Sequence, residues 1–370
     1  MNKSRGWLDH RVIATVLTIK ILILLFGLQA YIVLSNHWLT GPHEFLGIWH
    51  RWDAINYIKI SEIGYVGHGE DRFLIVFFPL YPLLVAGLKL IVRDSLLSAF
   101  LITGLASLAL GLVFRQLVRL DHPERTAQAA VFFMFIFPTS FFLHIPYTES
   151  LFLALTIGSF LAARKRSWLV VGILGGLACI TRINGVFIFP ALLFEIWQEY
   201  RETKDINLGW FSLCFLPVGF LLYLTLNYVV AGDPFRFMDY QSQHWYRHFR
   251  FPWYGIRDAV GRFFYEQPDR AIMYSVQELI FVVIGLAAII AGWRHLRHSY
   301  RFWMVANWLL FISTSFVLSV PRYTLILFPL FILMALASVR SRWANMIMTV
   351  WSLMFLAFFI GQFVREQWAF

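Results

Sequence analysis

Charge is what this chain has least of. Asp, Glu, Lys and Arg make up 14% of 370 residues, against roughly a quarter in an ordinary soluble domain. So little charge excludes a disordered tail or a coiled coil, both of which need charged, solvated faces. Cysteine is almost missing. Cys179 and Cys214 both lie inside apolar stretches, where a thiol acts as a small hydrophobe, so neither a disulfide framework nor a Cys-ligated metal is supported. His43, His50, His68, His144, His244 and His248 stand in no H-E-x-x-H or H-x-H context, so a metal is not indicated. A Gly-rich phosphate loop, a dinucleotide fingerprint and a G-x-S-x-G elbow are also missing, which argues against soluble nucleotide-sugar chemistry on the cytoplasmic side. Internal repeats and low-complexity segments are not found either.

Apolar residues are plentiful. They make up 59% of the chain, 18% of residues are aromatic, and the mean hydropathy is +0.66. Apolar runs of roughly 20 residues, the length that crosses about 30 Å of hydrocarbon, recur throughout. They fall at 12–34, 95–114, 127–145, 150–163, 168–181, 183–198, 208–230, 273–292, 302–319, 323–338 and 343–363. The expectation is an all-α polytopic membrane protein with about eleven transmembrane helices, forming one integral-membrane domain over 1–370. Lys3, Arg5 and Arg11 precede the first run, which is too long for a signal-peptide core and lacks a small-residue cleavage site, so it reads as a retained span. A net charge of +10 does not imply nucleic acid, because no soluble segment is long enough to carry a basic face.

A twelfth run, 73–92, contains Pro79, Pro82 and Lys89. If it does not cross, the N-terminus, Arg115/Arg119/Arg125, Arg164/Lys165/Arg166, Arg201/Lys204, Arg294/Arg297/Arg301 and Arg340/Arg342 share one side. They then hold sixteen of the 31 basic residues there, as the positive-inside rule demands of a cytoplasmic face. The run is therefore expected to be an interfacial or re-entrant helix within a long first exoplasmic loop, 35–94. A second long exoplasmic loop covers 231–272. The N-terminus is then cytoplasmic and the C-terminus exoplasmic.

With that topology, the polar residues hardest to explain structurally meet at the exoplasmic face. They are Asp53, Glu149, Arg182 with Asn184, and Arg322, on four separate segments. Acids at membrane depth or its edge are costly and commonly functional, while guanidinium groups fit phosphate oxygens. Asn184-Gly185 would permit a tight turn presenting backbone N–H groups to the same anion. The short runs 168–181 and 183–198 would leave room for an exoplasmic cavity.

The residues R-W-D-A-I-N-Y-I-K-I-S-E-I-G-Y (51–65), F-F-P-L-Y-P (77–82), P-Y-T-E-S-L-F (146–152) and T-R-I-N-G (181–185) stand in one order. In that order the chain resembles the phosphatidylinositol-glycan class V family of C-type glycosyltransferases. The resemblance covers roughly the first 200 residues, and the later half mainly through P-R-Y at 321–323. It implies a C-type architecture with exoplasmic juxtamembrane helices. It also implies transfer of mannose, with inversion, from dolichyl- or polyprenyl-phosphate-mannose to a hydroxyl of an exoplasmic glycolipid, glycan or protein. Ile183 stands where the family usually has Ser, and the chain is short for a eukaryotic member, which points to a prokaryotic relative with another acceptor. On this basis Asp53 is the expected general base, with Glu149 beside it, and Arg182 and Arg322 are expected to hold the donor phosphate without a metal. Trp52, Tyr57, Glu62, Tyr147 and Asn184 are expected to contact sugar or acceptor.

No cofactor beyond the lipid-phosphate donor is implied, the expected partners are the donor, the acceptor and membrane lipids, and a further subunit is compatible. The membrane would be the cytoplasmic membrane in a prokaryote or the endoplasmic reticulum in a eukaryote. The loop 231–272, rich in Tyr, Trp, Phe and Arg, is long enough to cover such a site, or its aromatics form an interfacial belt. A lipid-linked-sugar flippase or transporter, transfer of another sugar, and a noncatalytic scaffold are the competing classes. Transporters usually place charges at the midplane within internal repeats, and this chain shows neither.

Overall fold

A computed structural model describes residues 9–369; Lys3 and Arg5, counted above with the basic end, lie outside them. Within this range the regular structure is helical, apart from one isolated β-bridge between Phe249 and Thr314. The helices are α1 (His10–Ser35), α2 (Pro42–Gly47), α3 (Asp53–Ile63), α4 (Leu80–Val92), α5 (Ser95–Arg119), α6 (Glu124–Ile136), α7 (Glu149–Arg164), α8 (Trp168–Cys179) and α9 (Ile188–Thr203). They continue with α10 (Phe215–Ala231), α11 (Arg236–Trp245), α12 (Pro252–Tyr265), α13 (Pro268–Ala271), α14 (Gln277–Gly292), α15 (His298–Ile312), α16 (Val320–Tyr323), α17 (Pro329–Arg340) and α18 (Arg342–Val364).

Each apolar run of the sequence overlaps one of these helices, and local chemistry sets their ends. The Asp9 carboxylate accepts from the backbone N–H of Arg11 at 2.8 Å to start α1, and Asp94 does the same for Leu97 at 2.7 Å in α5. A side-chain acceptor at this position satisfies amides that the helix itself cannot.

Prolines account for the departures from straight spans. The run 127–145 is helical only to Ile136, because Pro138 lacks an N–H and drives Phe137 to an extended ψ of 148°. The run 323–338 is divided by a bend of 82° between Val320–Ile326 and α17, and the run 73–92 by one of 111° between the turn Glu70–Val76 and α4. Among the described residues five helices are long and apolar enough to cross a membrane, or seven if each bent pair counts as one span. The expectation of eleven crossings goes beyond this, since helices such as the twelve-residue α8 extend only about 18 Å at 1.5 Å per residue.

In a lipid surrounding, helices associate through close packing rather than water exclusion, so small residues mark their contacts. Where α8 meets α10 and the turn Leu208–Cys214 before it, a Cβ on Gly172 would lie 2.3 Å from the Ser212 carbonyl oxygen, and one on Gly219 would lie 2.3 Å from that of Gly176. Only glycine permits this approach. At the other side of the bundle Gly27 of α1 makes room for the indole of Trp49, which is fully buried and fixes the first long loop onto α1.

Two sets of ion pairs bear on the placement of the site. Arg115 joins Asp9 and Glu124 at 2.8 Å, Arg164 joins Asp121 at 2.7 Å, and Arg297 joins Glu195 at 2.9 Å. These tie together segments read from the sequence as one basic face. The second set gathers around Asp53 and Glu149, at the start of α7, whose other end carries Arg164.

Candidate functional site

Two helix starts place the acids. Asp53 is the first residue of α3 and Glu149 the first of α7, where the partial positive charge of a helix N-terminus favours a carboxylate. The entry to α3 is tightly held: Trp52 takes a positive φ of 52°, a conformation costing about 1–3 kcal/mol in a non-glycine residue. Its neighbours support it. The Tyr147 hydroxyl donates to the Arg51 carbonyl at 3.0 Å, Arg51 pairs with Glu366, and Trp52 meets Trp368 edge-on at 5.5 Å.

Two arginines enter from elsewhere. Arg182 precedes the short turn Ile183–Phe187, between α8 and α9. Arg322 lies in the four-residue α16, whose first amides are held by a fully buried acid of α14: the Glu278 carboxylate accepts from the Ser319 and Val320 N–H groups, both at 2.7 Å. Sequence reasoning missed Glu278. Its signal was an isolated acid at the start of the apolar run 273–292.

Together the four residues form a continuous ion-paired cluster. Glu149 is fully buried, and one of its oxygens accepts from Arg182 Nη1 and from Arg322 Nε, each at 2.5 Å, while Oε2 has no hydrogen-bond partner among the described residues. Arg322 Nη1 donates to Asp53 Oδ2 at 2.6 Å, and Arg182 Nη1 also donates to Thr148 Oγ1 at 3.0 Å. The Arg322 guanidinium lies over the rings of Tyr147 and Phe142, 4.6 and 4.9 Å from their centroids, a contact that adds cation–π attraction in a desolvated setting. Two carboxylates and two guanidinium groups leave the cluster formally neutral. Asp53 is its open edge, with a side chain 31% exposed against 4% for Arg322.

The remaining expected residues divide. Tyr57 is buried beneath the cluster, its hydroxyl 3.4 Å from Thr148 Oγ1, and burial followed by the Asp53 charge pushes its phenol above the usual range, so it stays protonated. Tyr147 and Trp52 border the cluster as described. Glu62 does not reach it: it accepts from Ser95 Oγ at 2.7 Å, nine residues and about 13 Å further along α3. Asn184 gives its amide to Asn307 of α15 at 2.8 Å. In the turn expected to offer backbone N–H groups to an anion, that of Gly185 is engaged. The Gly185 N–H donates to the Arg182 carbonyl at 2.9 Å, and the glycine serves close packing, since a Cβ there would stand 2.6 Å from Cys179 Cα.

From the second long loop Arg247 reaches the same place, donating from Nη1 to the Tyr323 hydroxyl at 3.0 Å. Many of that loop's aromatics, Phe249, Trp253 and Phe264 among them, are exposed.

No family model matches the chain. Its architecture is similar to that of the Archaeoglobus fulgidus oligosaccharyltransferase, with a TM-score of 0.50 at 12% identity over 96% of this chain and 56% of the other. It is also similar to ArnT from Cupriavidus metallidurans, with a TM-score of 0.51 at 16% identity over 89% and 60%. The fold is thus the all-helical architecture of these two proteins, with helices long and apolar enough to cross a membrane. In sequence the chain is similar to GPI mannosyltransferase 2 of two organisms. It is 30% identical over 209 residues to GPI alpha-1,6-mannosyltransferase 2 of Mus musculus, covering 53% of this chain and 41% of that protein. To GPI mannosyltransferase 2 of Schizosaccharomyces pombe it is 26% identical over 200 residues, covering 52% and 40%. The match thus spans about two fifths of the length of these curated relatives.

Proposed function

We propose that the protein is a multi-pass membrane mannosyltransferase that moves mannose from a dolichyl- or polyprenyl-phosphate-mannose to a hydroxyl of an exoplasmic glycolipid, glycan or protein. The observation that carries this reading is the Asp53–Arg322–Glu149–Arg182 cluster. It joins the motifs that resemble a mannosyltransferase family, at the end of the molecule opposite the basic face.

The step balances without a cofactor. The acceptor oxygen attacks the anomeric carbon from the side opposite the phosphate, its proton passes to the Asp53 carboxylate, and the C1–O bond to phosphate breaks with the electron pair going to the phosphate oxygen. The configuration inverts. Asp53 suits the base because it is partly exposed and only Oδ2 is engaged by Arg322. Glu149 acts as the anchor that holds the Arg182 and Arg322 guanidinium groups in place, and through Arg322 it fixes the position of Asp53. Guanidinium groups rather than a metal are proposed to manage that phosphate.

The reading is tested by presenting purified protein, in liposomes made with host lipid extract, with radiolabelled polyprenyl-phosphate-mannose and polyprenyl-phosphate-glucose in parallel. Label leaving the mannosyl donor for a new product, with the glucosyl donor intact, is the expected result. Preference for the glucosyl donor would overturn the choice of sugar, and consumption of neither would overturn the enzyme.

A further inference from the structure

Resting on that reading, we infer that the donor phosphate is held chiefly by Arg247 of the second long loop, beside Tyr323, and not by Arg182 and Arg322. Charge accounting inside the cluster leads there. Arg182 and Arg322 are already matched by Glu149 and Asp53 within hydrogen-bond distance. A phosphate approaching this quartet meets no net positive charge, and binding it would require breaking a buried ion pair, which typically costs 3–5 kcal/mol.

Arg247 is different. Among the described residues it pairs with no carboxylate, and its one side-chain hydrogen bond goes to the neutral Tyr323 hydroxyl, which leaves four of its five N–H donors for a ligand. The tyrosine also fixes where that charge stands. Its ring lies 5.3 Å from the Arg247 guanidinium and 5.9 Å from that of Arg182, so Arg247 borders the cluster.

The position is built rather than accidental. The Arg250 N–H donates to the Ser313 carbonyl at 3.1 Å, the Ser315 N–H to the His248 carbonyl at 2.9 Å, and Ser315 Oγ to the Tyr246 carbonyl at 3.1 Å. This short backbone pairing pins the strand of chain around Arg247 to the segment that leads into α16 and Arg322.

The chemistry of transfer gives such a residue a use. The donor is a phosphodiester with one negative charge, and cleavage of its C1–O bond leaves a phosphate monoester carrying nearly two. An arginine whose planar fork is not tied up by a carboxylate binds the product-like state better than the ground state, and so favours departure of the phosphate.

The experiment measures equilibrium binding of undecaprenyl phosphate, undecaprenol and dioleoyl phosphatidic acid to the full-length protein in detergent, for wild type, Arg247→Gln and Arg247→Lys. The expected result is that Arg247→Gln weakens undecaprenyl phosphate about tenfold, equivalent to 1.4 kcal/mol, and leaves undecaprenol unchanged, while Arg247→Lys retains part of the preference. If wild type does not prefer undecaprenyl phosphate to undecaprenol, the proposed function itself fails. If wild type shows the preference and Arg247→Gln keeps it, this inference is overturned and the function stands. Should Arg247→Gln lose both polyprenyl lipids, the Lys variant decides: a retained preference for the phosphate supports the charge, and a lost one overturns it. Equal wild-type affinity and an equal Arg247→Gln loss for phosphatidic acid would make the residue a general headgroup contact and also overturn the inference.

Discussion

Replacing Glu149 by Gln keeps the shape of the cluster and removes one charge. The side chain is fully buried and a single oxygen receives both Arg182 Nη1 and Arg322 Nε at 2.5 Å. Hydrogen bonds to a charged group are worth about 1.5–3 kcal/mol each, and breaking a buried ion pair by removing one partner costs about 3–5 kcal/mol. Glu149→Gln is therefore expected to destabilise the protein by about 3–5 kcal/mol, because two guanidinium groups remain in the interior with only Asp53 to balance them. The same reasoning makes the effect non-additive. Once Arg182 is also replaced by Gln, one of the stranded charges is gone, so the double variant should be less destabilised than the sum of the singles by about 1–3 kcal/mol. Denaturation of the purified variants in mixed micelles, followed by tryptophan emission, gives the four stabilities. Additivity within about 0.5 kcal/mol would show that Glu149 and Arg182 do not share an ion pair, and would refute the cluster.

Glu278→Ala should leave the Ser319 and Val320 amides without acceptors and loosen α16, lowering transfer through misplaced Arg322, whereas Glu278→Gln keeps one acceptor and recovers part of the rate; equal activity in all three proteins would contradict the positioning role. Gly219→Ala puts a methyl group against the Gly176 carbonyl and should cost about 1–3 kcal/mol in thermal stability by forcing α8 and α10 apart, an effect absent at the open Gly261. At the basic face, burial raises the Asp121 carboxyl, but the Arg164 hydrogen bond together with the charges of Arg164 and Arg297 outweighs it, so the carboxyl titrates below its ordinary 3.8. A depressed folded-state value means that this pair contributes stability above the ordinary value and loses it as pH falls through the folded one. Asp121→Asn should therefore flatten the stability profile on the acid side of pH 4 only, and an unchanged profile would show that the pair is not coupled to folding.

Much of the helical layout was legible because hydropathy and loop charge are local properties. Runs of apolar residues marked the helices, and Asp53, Glu149, Arg182 and Arg322 stood out as charges with no structural excuse on segments sharing a face. Their pairing was not legible. Whether Arg322 answers Asp53 or Glu149 depends on how α3, α7 and α16 approach one another, and no spacing along the chain encodes it. Glu62 illustrates the limit: it shares a motif and a helix with Asp53, yet helix length carries it away to Ser95. Asn184 is adjacent to Arg182 in sequence and turned toward α15 in space. Glu278 hid inside an apolar run, and Arg247 among several similar arginines of its loop, until the pairing of Arg250 with Ser313 fixed its place.

Asp53→Asn is the decisive substitution. The substitution removes the proposed base and preserves size and one acceptor for Arg322, and the variant is to be matched to wild type in folding by its denaturation midpoint. The assay follows labelled mannose leaving polyprenyl-phosphate-mannose for acceptor. The account predicts that transfer falls by about 100-fold or more, the usual contribution of a positioned base, with donor binding retained. Transfer at the wild-type rate by a folded Asp53→Asn protein would contradict it.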